Sequence, residues 1–201
     1  MIKDHTEGYY WQDDYYPDIN HVYKSKDYKY DVDVRLIDGC GDLVAPQRLE
    51  KSVEVLKEFE EKLPFKSFAI VSPLVPPHPC KEHNWIQLKG TMDYHDYGEF
   101  ILKYLHKYFD ARHVLLIQWD CFITNIDKWK DEFLDYDLVY TISDGCQDDN
   151  SEFIEDVQHF NGGLTLRSKK FCQSTSDYFT NAKSKDGIIY RFDETSGMIY
   201  K

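Results

Sequence analysis

The stretch HVLLIQWDCFI, residues 113–123, is the clearest strand signal in the sequence and decides the fold class. Its four consecutive apolar residues, 114–117, predict a strand that is buried on both faces, as in the middle of a parallel sheet. An aspartate at the end of such a strand must lie at a polar opening or be paired, because burying a bare carboxylate is costly. The stretch therefore predicts a central strand with polar groups at its carboxyl end.

Strands and helices alternate along the chain around this stretch. Apolar runs predict strands at VDVRLIDGCG, FKSFAIVSP, WIQLK and DLVYTIS. Helical spacing of apolar residues predicts helices at APQRLEKSVEVLKEFEEKL and YHDYGEFILKYLHKYF, with a helix-like piece at NIDKWKDEFLDY. This order indicates an α/β fold, a mainly parallel sheet flanked by helices, in one domain over residues 31–201.

Residues 1–30 are polar, rich in Tyr and without a clear period, so they predict an irregular lead-in to that domain. Their aromatic rings can simply bury area against it, or they can form part of an acceptor surface. A second polar region, the acidic stretch at residues 144–158, predicts a mobile loop placed where a lid over a ligand could lie.

The composition and charge of the chain limit the kinds of molecule that it can be expected to bind. At 42% hydrophobic and 30% charged, the 201-residue chain is typical of a globular protein and not of a disordered or membrane-embedded one. Its net charge of -12 and its lack of a long Lys/Arg run disfavour extended nucleic-acid binding, because that affinity comes from neutralising phosphates. Five scattered cysteines without a CxxC pair suit reduced thiols, and no apolar stretch reaches membrane-spanning length. We therefore expect a soluble, cytoplasmic protein with no membrane span.

Polar residues follow the predicted strands at the edge where ligands bind in open α/β sheets, beyond the carboxyl ends of the strands. Asp38 follows the first strand, and Gln118, Trp119 and Asp120 follow the central one. Strand alternation puts Gln118 and Asp120 on one face and Trp119 on the other. A carboxylate and an amide oxygen together can hold a divalent cation. The alternative is that Asp120 caps the next helix or turn.

A second motif, HFNGGLTLRS, spans residues 159–168. Gly162 and Gly163 before an apolar strand permit close approach of the backbone to a ligand, although such pairs also make hairpin turns. Asn161 can bond a sugar or acceptor hydroxyl. Arg167 can face a diphosphate or enter a surface ion pair.

Together these residues resemble an uncharacterised family of GT-A-type glycosyltransferases. That family carries a YS-x-F helix, an H-x-L-x-x-QWDGF strand, a W-x-DEFL-x-YDY segment and an NGGFSLRS element. This chain has YGEF, HVLLIQWDCF, WKDEFLDYDL and NGGLTLRS, in the same order and spacing, within residues 65–192. It departs from the family at Cys121, where the family has Gly, and at Lys185, where it has an acid.

The resemblance implies a GT-A-like domain that moves a sugar from a nucleoside-diphosphate sugar to a hydroxyl acceptor. In this role Asp120, helped by Gln118, would anchor Mn²⁺ or Mg²⁺ on the diphosphate. Asn161 and the backbone of Gly162 and Gly163 would shape the donor-sugar and acceptor side. The remaining donor- or acceptor-side candidates are Asp38, Trp119 and Arg167.

The resemblance also implies a carboxylate that removes the acceptor proton if the reaction inverts the anomeric centre. Asp186 is the first candidate, ahead of Asp193 and Glu194. Two other functions stay open on the sequence. One is a catalytically inactive GT-A-like protein that binds a nucleotide-sugar or a glycan. The other is a nucleotidyltransferase, although DGCGDLVAPQR is a poor version of the Gly-rich basic loop which that class carries.

Overall fold

Six strands form one sheet in the order β3-β2-β1-β4-β6-β5. The computed structural model describes residues 15–39, 46–74, 84–88, 90–92, 94–147, 153–181, 191–193 and 198–200. The strands are β1 (Tyr30–Ile37), β2 (Phe65–Ser72), β3 (Trp85–Gln87), β4 (His113–Ile117), β5 (Leu138–Gln147) and β6 (Phe153–Ser168). Four neighbouring strands, β3, β2, β1 and β4, pair in parallel, whereas β6 runs antiparallel to both β4 and β5. The predicted α/β class and mainly parallel sheet are confirmed.

Helices cover both faces of this sheet. Helix α1 (Pro46–Lys62) packs on one face, where its apolar side chains share a core with the even-numbered residues of β1. The other face carries α2 (Tyr94–Glu99), its continuation to residue 107, and α3 (Lys169–Asn181). The chain is therefore a single domain of three layers. No helix in the described ranges has both the length and the apolar character needed to cross a membrane.

The lead-in is irregular where it is described, from residue 15 to residue 29. Val22 is buried in the core beneath the face that carries α2, and Tyr15 and Ile19 pack against the same core. The side chains of Tyr15 and His21 bond the outer edge of β3. This segment therefore belongs to the packed domain and is not a detached tail.

A buried ion pair lies on β1, one of the inner strands of the sheet. Asp33 is 0% exposed and Arg35 is 1% exposed, and the Arg35 Nη2 lies 3.3 Å from the Asp33 Oδ2. Arg35 Nε donates to the carbonyl of Tyr108 at 2.7 Å. The Asp33 Oδ2 accepts from the backbone N–H groups of Asp110 and Ala111 at 2.9 and 3.1 Å. The pair thus fixes the segment that leads into β4.

Two predicted helices differ from the observed elements. The helix predicted over YHDYGEFILKYLHKYF is α-helical only in α2, and it continues as a π-helix at Phe100–Tyr104 and a 3-10 turn at Leu105–Lys107. The helix-like piece NIDKWKDEFLDY is two 3-10 turns, Ile126–Lys128 and Asp131–Asp135. The extended backbone of Trp129 separates those two turns.

The acidic stretch at residues 144–158 was predicted to be a mobile loop, and that prediction is wrong for its described residues. Residues 144–147 continue β5, and residues 153–158 begin β6, with Gln147 paired to Phe153. Antiparallel pairing has overridden the charge pattern there, because strand formation depends on cross-strand context more than on the residue types alone. Helix α3 and the small hairpin of β7 (Arg191–Asp193) and β8 (Met198–Tyr200) were not predicted.

Candidate functional site

The strand order creates a crevice between the carboxyl ends of β1 and β4. From β1 the chain passes outward to β2 and β3, and it then returns to place β4 on the opposite side of β1. In open α/β sheets, ligands bind outside the carboxyl ends of the strands at such a reversal of strand order. Asp38 follows β1 and Gln118 follows β4, so the sequence-predicted residues flank this position.

Residues Gln118 to Cys121 form a tight turn at the end of β4. The N–H of Cys121 donates to the carbonyl of Gln118 at 3.1 Å, and Trp119 and Asp120 are exposed between them. Because β4 ends at Ile117, the strand alternation predicted for Gln118 and Asp120 does not apply. The turn instead presents its two central side chains toward the solvent.

The Asp120 side chain makes no hydrogen bond or ion pair with another described residue. The next helical turn is capped by Asn125, whose side chain accepts from the N–H of Asp127 at 2.9 Å. The alternative in which Asp120 caps that turn is therefore wrong. Its exposed carboxylate is available to a ligand at the edge of the crevice.

Asp38 is buried at the other side of the crevice, with 4% of its surface exposed. Its Oδ2 accepts from the Ser52 hydroxyl at 3.1 Å, and its Oδ1 lies 3.6 Å from the Arg48 Nε. Burial raises the pKa of this carboxyl, while the Arg48 charge and the Ser52 hydrogen bond act in the opposite direction. Asp38 is therefore positioned to hold Arg48, and its own contact with a ligand would be indirect.

Arg48 joins the two sides of the crevice. It lies in the first turn of α1, and its guanidinium carbon is 5.5 Å from the centroid of the Trp119 ring. Its Nε is buried and has no hydrogen-bond acceptor. Arg48 was missed from sequence. The signal that could have found it is its place in the helix after β1, because that helix begins at the edge where β1 ends.

A second cation lies over a second exposed aromatic ring beside this pair. The Lys51 Nζ is 5.9 Å from the centroid of the Phe122 ring, and Phe122 is 59% exposed. Trp119 is 38% exposed. Large aromatic side chains exposed together at a crevice are typical of ligand-contacting surfaces.

The NGG motif comes close to the turn after β4 through Cys121. The Cys121 thiol accepts from the N–H of Gln118 at 3.2 Å and donates to the carbonyl of Gly163 at 3.0 Å. Burial raises the pKa of this thiol, which keeps it protonated and able to donate. The residue that replaces the glycine of the resembled family therefore ties the two motifs together.

The two glycines lie inside β6 and not before it. Thr165 pairs with Tyr140 whereas Asn161 pairs with Thr141, so Gly162 and Gly163 fall in a bulge of β6. The hairpin-turn alternative for NGG is therefore wrong. Bulges redirect a strand and are frequent beside active sites, and glycines suit them. Only the backbone of Asn161 and Gly162 is described, so the proposed role of the Asn161 side chain stays a prediction.

Arg167 lies farther from the carboxyl edge of the sheet than the other described candidates. It pairs with Val114, three residues before the end of β4, which is roughly 10 Å from the carboxyl edge at the usual rise of a strand. Its Nε donates to the Thr165 hydroxyl at 3.2 Å, and burial lowers the pKa of its guanidinium, while Cys172 favours the charged form. The structure does not bring Arg167 to Asp38 and Trp119.

The candidate bases are not tested by the described structure. Asp186 and Glu194 lie outside the described residues. Asp193 ends β7 and pairs with Met198, but its side chain is not described. Their catalytic role stays a prediction.

The side chains near the crevice fit a metal ion that arrives with a ligand. The described residues contain no group of three or more His, Cys, Asp or Glu side chains that could hold a metal ion by themselves. Asp120 supplies one exposed carboxylate, with the half-buried amide of Gln118 two residues away. Mg²⁺ is commonly held by one or two carboxylates together with substrate phosphates and water, so this donor set suits a diphosphate-bound ion.

The DEFL segment that carries part of the resemblance has a packing role. The Trp129 ring lies 4.9 Å from the Phe65 ring and 5.5 Å from both the Tyr30 and Phe133 rings. Tyr30 also donates to Asp131 Oδ1 at 2.5 Å. These contacts hold residues 125–136 against the amino ends of β1 and β2, away from the crevice.

A comparison with known protein families identifies the family of this chain. Residues 89–195, more than half of the 201, match the family described as a protein of unknown function, DUF5672. The chain belongs to the DUF5672 family. The DUF5672 region contains the turn after β4 and the bulge of β6, whereas Asp38 and Arg48 precede it. No curated protein matches the chain.

Proposed function

We propose that this chain is a glycosyltransferase with a GT-A-like fold, which moves a sugar from a nucleoside-diphosphate sugar to a hydroxyl acceptor. The donor would occupy the crevice between the ends of β1 and β4. One observation carries the proposal: Arg48 lies between Asp38 and Trp119 at the reversal of strand order. The motifs that resemble glycosyltransferases support it independently.

Arg48 fits a diphosphate because its donors are not used up. Its Nε is buried 3.6 Å from Asp38 Oδ1, which is too long for a hydrogen bond, so the Nη groups of this partly exposed side chain are the donors that a diphosphate could reach. A planar guanidinium can form two parallel hydrogen bonds to phosphate oxygens. Asp38 would orient this guanidinium, and the exposed ring of Trp119 would pack against the base or sugar of the donor.

Asp120 and the amide of Gln118 would hold Mn²⁺ or Mg²⁺ bound to the diphosphate. Such an ion, when bound, stabilises the negative charge that grows on the leaving group. The hydrogen bond from the Cys121 thiol to the carbonyl of Gly163 sets the distance between this turn and the bulge of β6. The backbone of Gly163 would therefore border the side of the crevice where the sugar lies.

In the transfer itself, the acceptor oxygen bonds to the anomeric carbon as the bond from that carbon to the diphosphate oxygen breaks. The acceptor proton passes to a carboxylate, for which Asp186 is the first candidate and Asp193 or Glu194 the next. A general base of this kind is typically worth about 10² to 10⁴ in rate. The nucleoside diphosphate leaves with the electron pair of the broken bond.

The test is thermal unfolding with a panel of UDP-, GDP- and dTDP-sugars, with and without Mn²⁺, followed by measurement of released nucleotide. A ligand that binds only the folded chain stabilises it by about 2.7 kcal/mol at a hundredfold excess over Kd. Arg48→Ala should lose most of that stabilisation, whereas Lys57→Ala, an exposed site on the same helix, should keep it.

Failure of every nucleotide-sugar to stabilise the protein would contradict the proposal. Equal stabilisation of Arg48→Ala and Lys57→Ala would contradict the role of Arg48. Stabilisation without nucleotide release, with acceptor sugars present, would favour the inactive binding protein over the enzyme.

A further inference from the structure

Two cation–aromatic pairs lie side by side between the start of α1 and the segment after β4. The Arg48 guanidinium carbon is 5.5 Å from the centroid of the Trp119 ring. The Lys51 Nζ is 5.9 Å from the centroid of the Phe122 ring. Three residues separate the two cations on α1, and three residues also separate the two rings. The second pair therefore repeats the first about one helical turn farther along α1.

Both cations can be reached from solvent. The side chain of Lys51 is 42% exposed and that of Arg48 is 31% exposed. Residues three apart on a helix have Cβ atoms about 5 to 6 Å apart, so two long side chains can converge on two linked groups. The amino end of a helix also favours anions, and α1 has no acidic residue in its first turn. The two cations therefore suit a ligand with two adjacent negative groups.

A carboxylate of the same helix competes for Lys51. The Lys51 Nζ donates to the Glu54 Oε2 at 3.0 Å, and Glu54 is exposed. An exposed ion pair between residues three apart on a helix is weak, so a phosphate with more charge can displace the carboxylate. Glu54 therefore limits the binding of an anion at Lys51 without preventing it.

We propose that Lys51 makes the crevice selective for nucleoside diphosphates over nucleoside monophosphates, and that Glu54 sets the strength of this selection. The inference rests on the proposed function, in which Arg48 binds the diphosphate beside Trp119. With the base packed against Trp119, Arg48 holds the phosphate next to the nucleoside and Lys51 holds the distal phosphate. A lysine ammonium acts on such a phosphate as a point charge, whereas the arginine binds two of its oxygens at once.

The distal phosphate is also the group on which charge grows during the proposed transfer. Its oxygen keeps the electron pair when the bond to the anomeric carbon breaks. A cation placed at that phosphate stabilises the transition state more than the bound donor, because the charge is larger in the transition state. A monophosphate or a lone carboxylate would engage only one of the two cations, and a neutral sugar would engage neither.

The experiment compares diphosphates with monophosphates of the same nucleoside. Titration calorimetry at low ionic strength and constant Mn²⁺ measures the Kd of UDP and UMP, GDP and GMP, and dTDP and dTMP, because salt screens exposed charges. The variants are Lys51→Ala, Glu54→Gln and the double variant. Lys57→Ala and Glu50→Gln are the matched controls, since each removes the same kind of charge at another exposed position of α1.

Lys51→Ala should weaken diphosphate binding about tenfold and monophosphate binding by no more than about twofold, because one hydrogen bond to a charged group is lost only in the first case. Glu54→Gln should tighten diphosphate binding by about two- to fivefold, the strength of an exposed ion pair. That gain should vanish in the double variant, since Glu54 acts through Lys51. Both controls should bind each nucleotide as the parent does.

The outcomes separate this inference from the proposed function. If no nucleotide binds to the parent protein, the proposed function fails and the inference fails with it. If diphosphates bind but Lys51→Ala weakens diphosphates and monophosphates alike, only the selectivity of Lys51 is overturned. If Glu54→Gln and Glu50→Gln change the Kd equally, the role of Glu54 is overturned, because the effect is then one of net charge.

Discussion

At the scale of single residues, Asp120 and its neighbours combine exposure with a fixed backbone. The turn from Gln118 to Cys121 is closed by a backbone hydrogen bond and by the hydrogen bond that the Cys121 thiol accepts from the N–H of Gln118. The Asp120 carboxylate itself is exposed and is not used for packing. Its charge can therefore be removed without disturbing the turn.

Asp120→Asn should abolish Mn²⁺-dependent binding of a nucleoside diphosphate and change the free energy of unfolding by no more than about 0.5 kcal/mol. Titration calorimetry with and without Mn²⁺ measures the first effect, and urea unfolding measures the second. Asp127→Asn, at another exposed aspartate seven residues on, is the matched control and should bind normally. An Asp120→Asn protein with unchanged affinity would remove Asp120 from the metal site.

Gly39, next to Asp38, is the residue whose size matters most at the crevice. A Cβ atom there would lie 2.4 Å from the Cε and 2.9 Å from the Cβ of Met92. The carbonyl of Gly39 also accepts from the N–H of Met92 at 2.7 Å, so the two backbones cannot separate freely. The close approach requires glycine.

Gly39→Ala should lower the free energy of unfolding by about 1 to 3 kcal/mol, the usual cost of overpacking. Adding Met92→Ala removes the clash with Cε but not the one with Cβ, so part of the cost should remain. A double-mutant cycle in urea should therefore give a coupling of at least about 0.5 kcal/mol. Additive effects of the two substitutions would mean that the contact does not constrain this position.

At the scale of secondary-structure elements, the Asp33–Arg35 pair ties β1 to the segment before β4. Arg35→Leu would leave the Asp33 carboxylate buried without its cation, at a cost of about 3 to 5 kcal/mol. Lys62→Ala breaks an exposed pair with Glu58 on α1 and should cost no more than about 0.5 kcal/mol. Chemical denaturation compares the two variants. Similar losses of unfolding free energy in both variants would show that burial does not determine how much the Asp33–Arg35 pair contributes to stability.

Regular elements were predictable because their signals are local. The apolar run at 114–117 and the helical spacing in α1 each depend on residues adjacent in sequence, and both are confirmed. The bulge at Gly162 and Gly163 depends on the register between β5 and β6, which no local pattern carries. The described residues of the acidic stretch, 144–147 and 153–158, also pair with each other across the two strands, and their charge pattern gives no sign of that pairing.

The residues of the candidate site also differ in whether their signal in the sequence is local. Asp38 and Asp120 were chosen as candidates from sequence because each comes at the end of a predicted strand; in the structure Asp38 directly follows β1 and Asp120 lies in the turn after β4. Arg48 was missed because it comes near Asp38 and Trp119 only in the folded structure, in which the first turn of α1 lies beside the ends of β1 and β4. Arg167 looked suitable from its charge, but its register with Val114 places it away from the edge. Register and topology, and not residue type, decided these outcomes.

At the scale of the whole molecule, we expect the half-buried His106 and the buried His113 to make stability depend on pH. Burial lowers the pKa of His106, with added repulsion from Lys169 and Lys107. Burial also lowers the pKa of His113, although a hydrogen bond to the carbonyl of Tyr136 opposes it. The unfolded chain, with a histidine pKa near 6.5, therefore binds protons at a higher pH than the folded one.

The sign follows from that difference in bound protons. Stability is fully retained above about pH 6.5 and is lost progressively as the pH falls toward the lowered pKa values, by at most about 1.4 kcal/mol per pH unit for each histidine. Urea midpoints at about pH 7.5 and pH 5.5 measure the loss. The His106→Gln/His113→Gln variant should lose less between these two conditions. A variant with the same loss as the parent would assign the dependence to other groups.

The attachment of the lead-in to β3 has a consequence for how the protein behaves at high concentration. The outward carbonyls of Trp85 and Gln87 are occupied by an imidazole and a phenol, not by another backbone. Side chains of this kind satisfy an acceptor but offer no row of peptide groups on which a further strand could assemble. An open edge strand invites the edge of another copy, and such contacts lead to fibrous self-assembly. Tyr15 and His21 therefore oppose the addition of a further strand at the β3 edge of the sheet.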